Sequence, residues 1–291
     1  MSGPRPQSPS AGGHAPGYRA IRWDMDWVMR PLFGIVLAGI AILALVWPEY
    51  FAGMVVLITA LAAYEWHRMV AVGRDYRLET AITSLTAAAA VLILLMSRQI
   101  GPALLAVAIG ALVAVLVARS QGQSPVWQGL GVVYLGLPAI ALVSLRTFPE
   151  RGWQVIAGLF LIVWATDTGA LIFGKLIGGP RMAPVLSPSK TWAGTIGGSV
   201  TAALVFSCYI WLLGGTLWIA ALFGLAFSAV AHAGDLFESF VKRRFGIKNS
   251  GSLIPGHGGV LDRMDSTIFA SVALAILVFG THFNLLFGIA S

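Results

Sequence analysis

The chain has 291 residues, of which 57% are hydrophobic and only 11% charged, and its formal charge is +7. A water-soluble domain of this length carries about 25% charged residues to cover its surface, so the composition excludes one and leaves lipid as the solvent for most of the chain. No basic stripe alternates with aromatics on a soluble surface, which excludes a nucleic-acid binder; the positive charge fits basic loops beside anionic lipid head groups.

Residues 1–25 are rich in Gly, Pro, Ser and Ala and contain no long apolar run, so they are expected as a disordered cytoplasmic tail. Beyond them, apolar runs of about 17 to 25 residues recur, the length that crosses about 30 Å of hydrocarbon as helix. The chain therefore reads as an all-α polytopic integral membrane protein with about nine transmembrane helices. They are expected near residues 28–47, 50–64, 82–97, 101–118, 126–146, 153–173, 194–213, 216–233 and 265–288. The first run starts too far in and is too long for a cleaved signal peptide. Residues 26–150 form the N-terminal spans and 151–291 the C-terminal region, where the polar chemistry gathers. The single cysteine, Cys208, lies inside an apolar run and reads as a small buried hydrophobe. The Ala/Gly-rich fourth span offers a small-residue face through which two copies of the chain are able to pair as a homodimer.

Orientation follows the bias of Lys and Arg in short loops. Of the 19 basic residues, a nine-span reading puts only Arg98, Arg146 and Arg151 on the side opposite the N-terminus. The basic side is expected to be cytoplasmic. The two longest polar loops of the C-terminal half, 174–193 and 234–264, both open there.

Ionisable residues within spans are costly and mark function or paired structure. Asp167 lies inside the sixth apolar run, in the segment Trp164 to Gly169. Asp235 and Glu238, three residues apart, share one face of a helix or form a capping box with Asp235 as N-cap. Asp262 and Asp265 are likewise three apart at the mouth of the last span, where carboxylates favour the helix dipole. Four carboxylates returned to one membrane face repel one another unless cations sit between them, and oxygen-only donors suit Mg²⁺, as one ion or two. Between these pairs run Lys242, Arg243, Arg244, Lys248, Gly251, Gly256, His257, Gly258, Gly259 and Arg263. Glycines let backbone amides approach phosphate and the basic heads neutralise its charge, so the stretch reads as a polyphosphate site. Lys175 and the loop 184–194, with Ser187, Lys190 and Thr191, add a lysine and hydroxyls at the start of the seventh span; as a purely structural feature that loop is a helix cap with a snorkelling lysine.

The run from Ser239 to Asp265 closely resembles the signature of the phosphatidate cytidylyltransferases, or CDP-diacylglycerol synthases. Ser239, Lys242, Arg243, Lys248, Gly251, Pro255, His257, Gly258, Gly259, Asp262, Arg263 and Asp265 are all in place. Gly234 to Ser239, Ser187 to Trp192 and the position of Asp167 also look like that family, so the resemblance covers roughly residues 160–290. Asn249, Ser189 and Ala193 depart from it, where Asp, Lys or Asn, and Glu respectively are usual. The resemblance implies transfer of a cytidylyl group from CTP to phosphatidic acid in a bacterial inner membrane, with the site facing the cytoplasm. It implies Asp235, Asp262, Asp265 and, more weakly, Glu238 as Mg²⁺ ligands. Lys175, Lys190, Lys242, Arg243, Lys248 and Arg263 become phosphate contacts, and His257 a hydrogen-bond donor or loop-shaping residue. Other CTP-dependent lipid enzymes, such as polyprenol or phytol kinases and CDP-archaeol synthases, share much of this electrostatic pattern. An ion-coupled transporter fits less well, since no internal repeat is visible.

Overall fold

The structure, a computed structural model, describes residues 46–148, 150–251, 253 and 258–280. The N-terminal tail, the span expected at 28–47 apart from its last two residues, His257 and the end of the last span lie outside the described residues. Within them are eight helices: α1 (Pro48–Val70), α2 (Arg77–Ser97), α3 (Ile100–Ser120), α4 (Pro125–Thr147), α5 (Gly152–Leu176), α6 (Trp192–Leu212), α7 (Leu217–Arg244) and α8 (Leu261–Gly280). All but α1 are long and apolar enough to cross a membrane. The all-α membrane architecture is as expected.

Two connections differ from expectation. Between α5 and α6 the chain forms an antiparallel hairpin of β1 (Arg181–Ala183) and β2 (Ser187–Thr191), with Arg181 opposite Thr191, in place of an irregular loop. The loop expected from residue 234 is instead three further turns of α7. Nothing in that stretch breaks a helix: Lys242 pairs with Glu238 one turn earlier at 3.2 Å, and Lys242, Arg243 and Arg244 complement the dipole at the last turn. The helix stops at Gly246, whose φ of +70° suits glycine, and whose N–H donates to the Arg243 carbonyl at 3.1 Å. Asp235 is therefore mid-helix, which removes the capping-box reading.

Helix α4 is the central element, with 72% of its apolar window buried. It packs against α1, α2, α3 and α8. The small-residue face of α3 (Ala103, Gly110, Ala114 and Ala118) is buried inside the chain, with Gly110 against Thr86 of α2. That face packs against the chain's own helices. Cys208 also corrects its expectation, since it lies exposed. Helices α5 and α6 touch backbone to backbone: a Cβ at Gly198 would lie 2.6 Å from the Thr166 carbonyl oxygen.

The N-terminal half carries a buried polar chain that apolar patterning does not announce. His67 hydrogen-bonds the Gln128 side-chain oxygen through Nδ1 and Thr83 Oγ1 at 2.7 Å through Nε2. Gln128 donates to Gln123, which donates in turn to Glu79 at 3.0 Å. Gln128→Leu leaves His67 and Gln123 without their shared partner in a dry interior. It is expected to cost about 2 kcal/mol, measurable as a lower unfolding midpoint in detergent.

Candidate active site

The hairpin, the extended α7 and the start of α8 meet around one cavity of about 1100 Å³. It is lined by Asp167 and Lys175 from α5, Ser187, Lys190 and Thr191 from β2, and Asp235, Lys242 and Arg243 from α7. Lys248 and Gly258 follow from the connecting segment, then Asp262, Arg263 and Asp265 from α8. Residues separated by nearly a hundred positions are gathered because consecutive helices reverse at short turns, so that the α5–α6, α7–α8 and α1–α2 connections share one end of the bundle.

Close backbone contact sets the spacing of the carboxylates. At Gly234 a Cβ would lie 2.6 Å from the Asp265 carbonyl oxygen, so only glycine lets α7 approach α8 this closely beside Asp235. Lys190 makes an ion pair with Asp235, joining hairpin to helix. Lys242 donates to Asp262 Oδ1 at 2.8 Å and lies 3.2 Å from Glu238 Oε1. Asp262 is held further by the backbone N–H of Gly259 at 3.1 Å and that of Ser250 at 3.2 Å. Each of these hydrogen bonds involves a charged group, the stronger kind.

Several expected residues have settled partners. Thr191 Oγ1 accepts from the Gly194 N–H at 3.1 Å and so caps α6, and the residue also lines the cavity. Arg243 donates to the carbonyls of Leu186 and Ile247 at 3.2 and 3.3 Å, which ties α7 to the hairpin and leaves less of the guanidinium for phosphate. Glu238 is set apart from the other acids: it is fully buried beneath Lys242, 3.2 Å from its ammonium, and does not line the cavity. Gly259 works through its N–H on Asp262 and is absent from the cavity wall.

Among the described residues no three His, Cys, Asp or Glu side chains are grouped closely enough to hold a metal ion by themselves. The cavity presents separate carboxylates, Asp167, Asp235, Asp262 and Asp265, interleaved with cations. Separate carboxylates of this kind would fit an ion that takes one or two of them and completes its shell with water and phosphate oxygens.

Residues 28–280 match the sequence model of the Cytidylyltransferase family. The chain belongs to this family. A phosphatidate cytidylyltransferase of Brucella melitensis biotype 1 is 44% identical over 160 residues, covering 54% of this chain and 58% of the relative. One from Brucella suis biovar 1 is 43% identical over the same shares, and one from Staphylococcus aureus strain COL is 41% identical over 158 residues, 51% of this chain and 57% of the relative. The chain thus spans a little over half the length of these curated relatives.

Three residues of this family member escaped the sequence reading. His232 lines the cavity one turn before Asp235, with Nε2 at 3.3 Å from the Thr195 carbonyl oxygen, and Thr195 itself lines it from α6. A lone His within an apolar helix was the available signal. The third is Glu65 of α1, fully buried yet bonded to the segment between α7 and α8. The polar structure is therefore not confined to the C-terminal half.

Proposed function

We propose that this chain transfers the cytidylyl group of CTP to phosphatidic acid, forming CDP-diacylglycerol and pyrophosphate, at the cytoplasmic face of a bacterial inner membrane. The observation that carries the reading is the cavity's wall, in which Lys175, Lys190, Lys242, Lys248 and Arg263 alternate with four aspartates at the end of a membrane bundle. Ligand pockets commonly measure about 300–1,000 Å³. This one, at about 1100 Å³, suits a nucleoside triphosphate together with a lipid head group.

The nucleophile is an oxygen of the lipid phosphate monoester, already anionic near neutral pH, so no strong general base is needed. That oxygen bonds to the α-phosphorus of CTP while the bond to the bridging α–β oxygen breaks and pyrophosphate leaves. The barrier is the approach of two highly charged anions. Lys190 and Lys242, held by Asp235 and Asp262, present fixed positive charge, and Lys175, Lys248 and Arg263 add neutralisation around the rim. Asp235, Asp262 and Asp265 are the residues that would hold Mg²⁺. When bound, the ion supplies charge neutralisation and alignment of the phosphates. The acyl chains stay in the bilayer while the head group reaches the cavity between the helices.

The test is product formation by the purified protein in detergent with CTP, phosphatidic acid and Mg²⁺. CDP-diacylglycerol and pyrophosphate are expected in equal amounts and are expected to vanish on chelation. Product with a different lipid acceptor alone would redirect the assignment to another CTP-dependent lipid enzyme, and a failure to bind CTP would remove it.

A further inference from the structure

Glu65 projects from α1, outside every element that lines the cavity. It is fully buried, and its Oε2 accepts two hydrogen bonds, from the Ser250 hydroxyl at 3.1 Å and from the Leu261 N–H at 2.8 Å. Leu261 opens α8, so its N–H is one of the helix's unsatisfied first donors; a carboxyl group from a distant helix supplies the acceptor that a local N-cap residue ordinarily provides. Ser250 in turn directs its own N–H to both oxygens of Asp262, at 3.3 and 3.2 Å. Gly251 and Gly259 line the carboxyl group on both sides, and a Cβ at either would collide with Glu65. Ser250, within the segment between α7 and α8, and Leu261, the first residue of α8, are thus clamped on one side chain that lies 185 and 196 residues away in sequence from them.

We infer that Glu65 is a positioning residue for the site: it clamps the segments at Ser250 and Leu261 and, through the Ser250 N–H and the start of α8, sets the place of Asp262. The inference rests on the cytidylyl-transfer reading only for its effect on turnover. An apolar bundle helix has no packing reason to bury a carboxyl group, which costs several kcal/mol unless its oxygens find donors. Here two donors reach Oε2, the Ser250 hydroxyl and the Leu261 N–H, both from residues that flank Asp262, while Oε1 has no hydrogen-bond partner among the described residues. Glycine at 251 and 259 is required by the same contact.

The experiment compares full-length wild type, Glu65→Ala and Glu65→Gln in detergent, by amide hydrogen exchange and by steady-state turnover with CTP, phosphatidic acid and Mg²⁺. Loss of the clamp is expected to speed exchange of peptides spanning 248–261 by about tenfold or more in Glu65→Ala, with α6 peptides unchanged. Glu65→Gln, whose carbonyl keeps an acceptor for Ser250 and Leu261, is expected to stay much nearer wild type. Turnover of Glu65→Ala is expected to fall about 10- to 100-fold in kcat with the KM for CTP within about threefold, the pattern of a misplaced rather than a missing group. Unchanged exchange at 248–261, an equal increase in every helix, or a Gln variant as impaired as the Ala variant would overturn the inference. Should Glu65→Ala not fold, Ser250→Ala decides alone: faster exchange confined to 248–261 supports the clamp, and no change rejects it. Exchange does not depend on the reaction. A wild type that makes no CDP-diacylglycerol therefore counts against the proposed function, and the clamp is still judged by exchange.

Discussion

Asp262→Asn is expected to lower CDP-diacylglycerol formation by about a thousandfold. The substitution preserves shape, so the effect comes from charge and from hydrogen-bond direction. Asp262 faces donors only: the Lys242 ammonium at 2.8 Å on Oδ1, the Gly259 N–H on Oδ2, and the Ser250 N–H shared between both oxygens. An asparagine keeps one acceptor and turns an NH₂ toward a donor on the other side. Whichever way the amide faces, either Lys242 or the backbone of the connecting segment loses its partner and moves. The site then loses one negative charge for a cation and the fixed place of a positive one. Initial rates of CDP-diacylglycerol release, with CTP binding measured in parallel, check this. A variant within about tenfold of wild type would take Asp262 out of the machinery.

Lys242→Met is expected to be the most destabilising single change near the site, by about 3 kcal/mol, with activity lost as well. The ammonium is the counter-charge of Glu238, whose side chain is fully buried, and it also holds Asp262. Methionine fills a similar volume but strands a carboxylate with no water around it. The buried Glu238 and the half-buried Asp262 then face one another across the lost cation. Thermal unfolding in detergent reads the loss. The double variant Lys242→Met with Glu238→Gln is expected to recover about half of it, because the stranded charge is gone, while turnover stays absent. Recovery of turnover in the double variant would show that Lys242 acts only as a structural counter-ion.

The same pair shows how far local patterns reach. Asp235, Glu238, Lys242, Asp262 and Asp265 stood out as ionisable residues in or beside apolar runs, and all five do come together. Their division of labour was not legible. Spacing alone made Glu238 equivalent to Asp235, one i, i+3 step away on the same helix face. The structure separates them by burial: Asp235 opens to the cavity and pairs with Lys190 from the hairpin, whereas Glu238 is sealed under Lys242. The capping box failed for a related reason. Gly234 resembles a break before a new helix, yet it sits mid-helix because α8 needs room for its backbone at that point.

The small-residue face of α3 illustrates the converse. Its composition indicated a packing seam, and a seam it is, but with α2 inside the same chain. Composition gives the capacity to pack closely and is silent on the partner.

From the sequence alone came the solvent, the helical class, the order of the spans and the residues in which chemistry gathers. These are legible because lipid imposes its constraint segment by segment: every span must satisfy its own backbone and must be long and apolar enough to do so. Only the tertiary structure decided which carboxylate meets which lysine, that Thr191 and Arg243 have structural partners, and that Glu65 holds the segment carrying Ser250 and Gly259. Those facts depend on distances between residues far apart in the chain, set by helices packing at glycine contacts, and no local period or spacing encodes them.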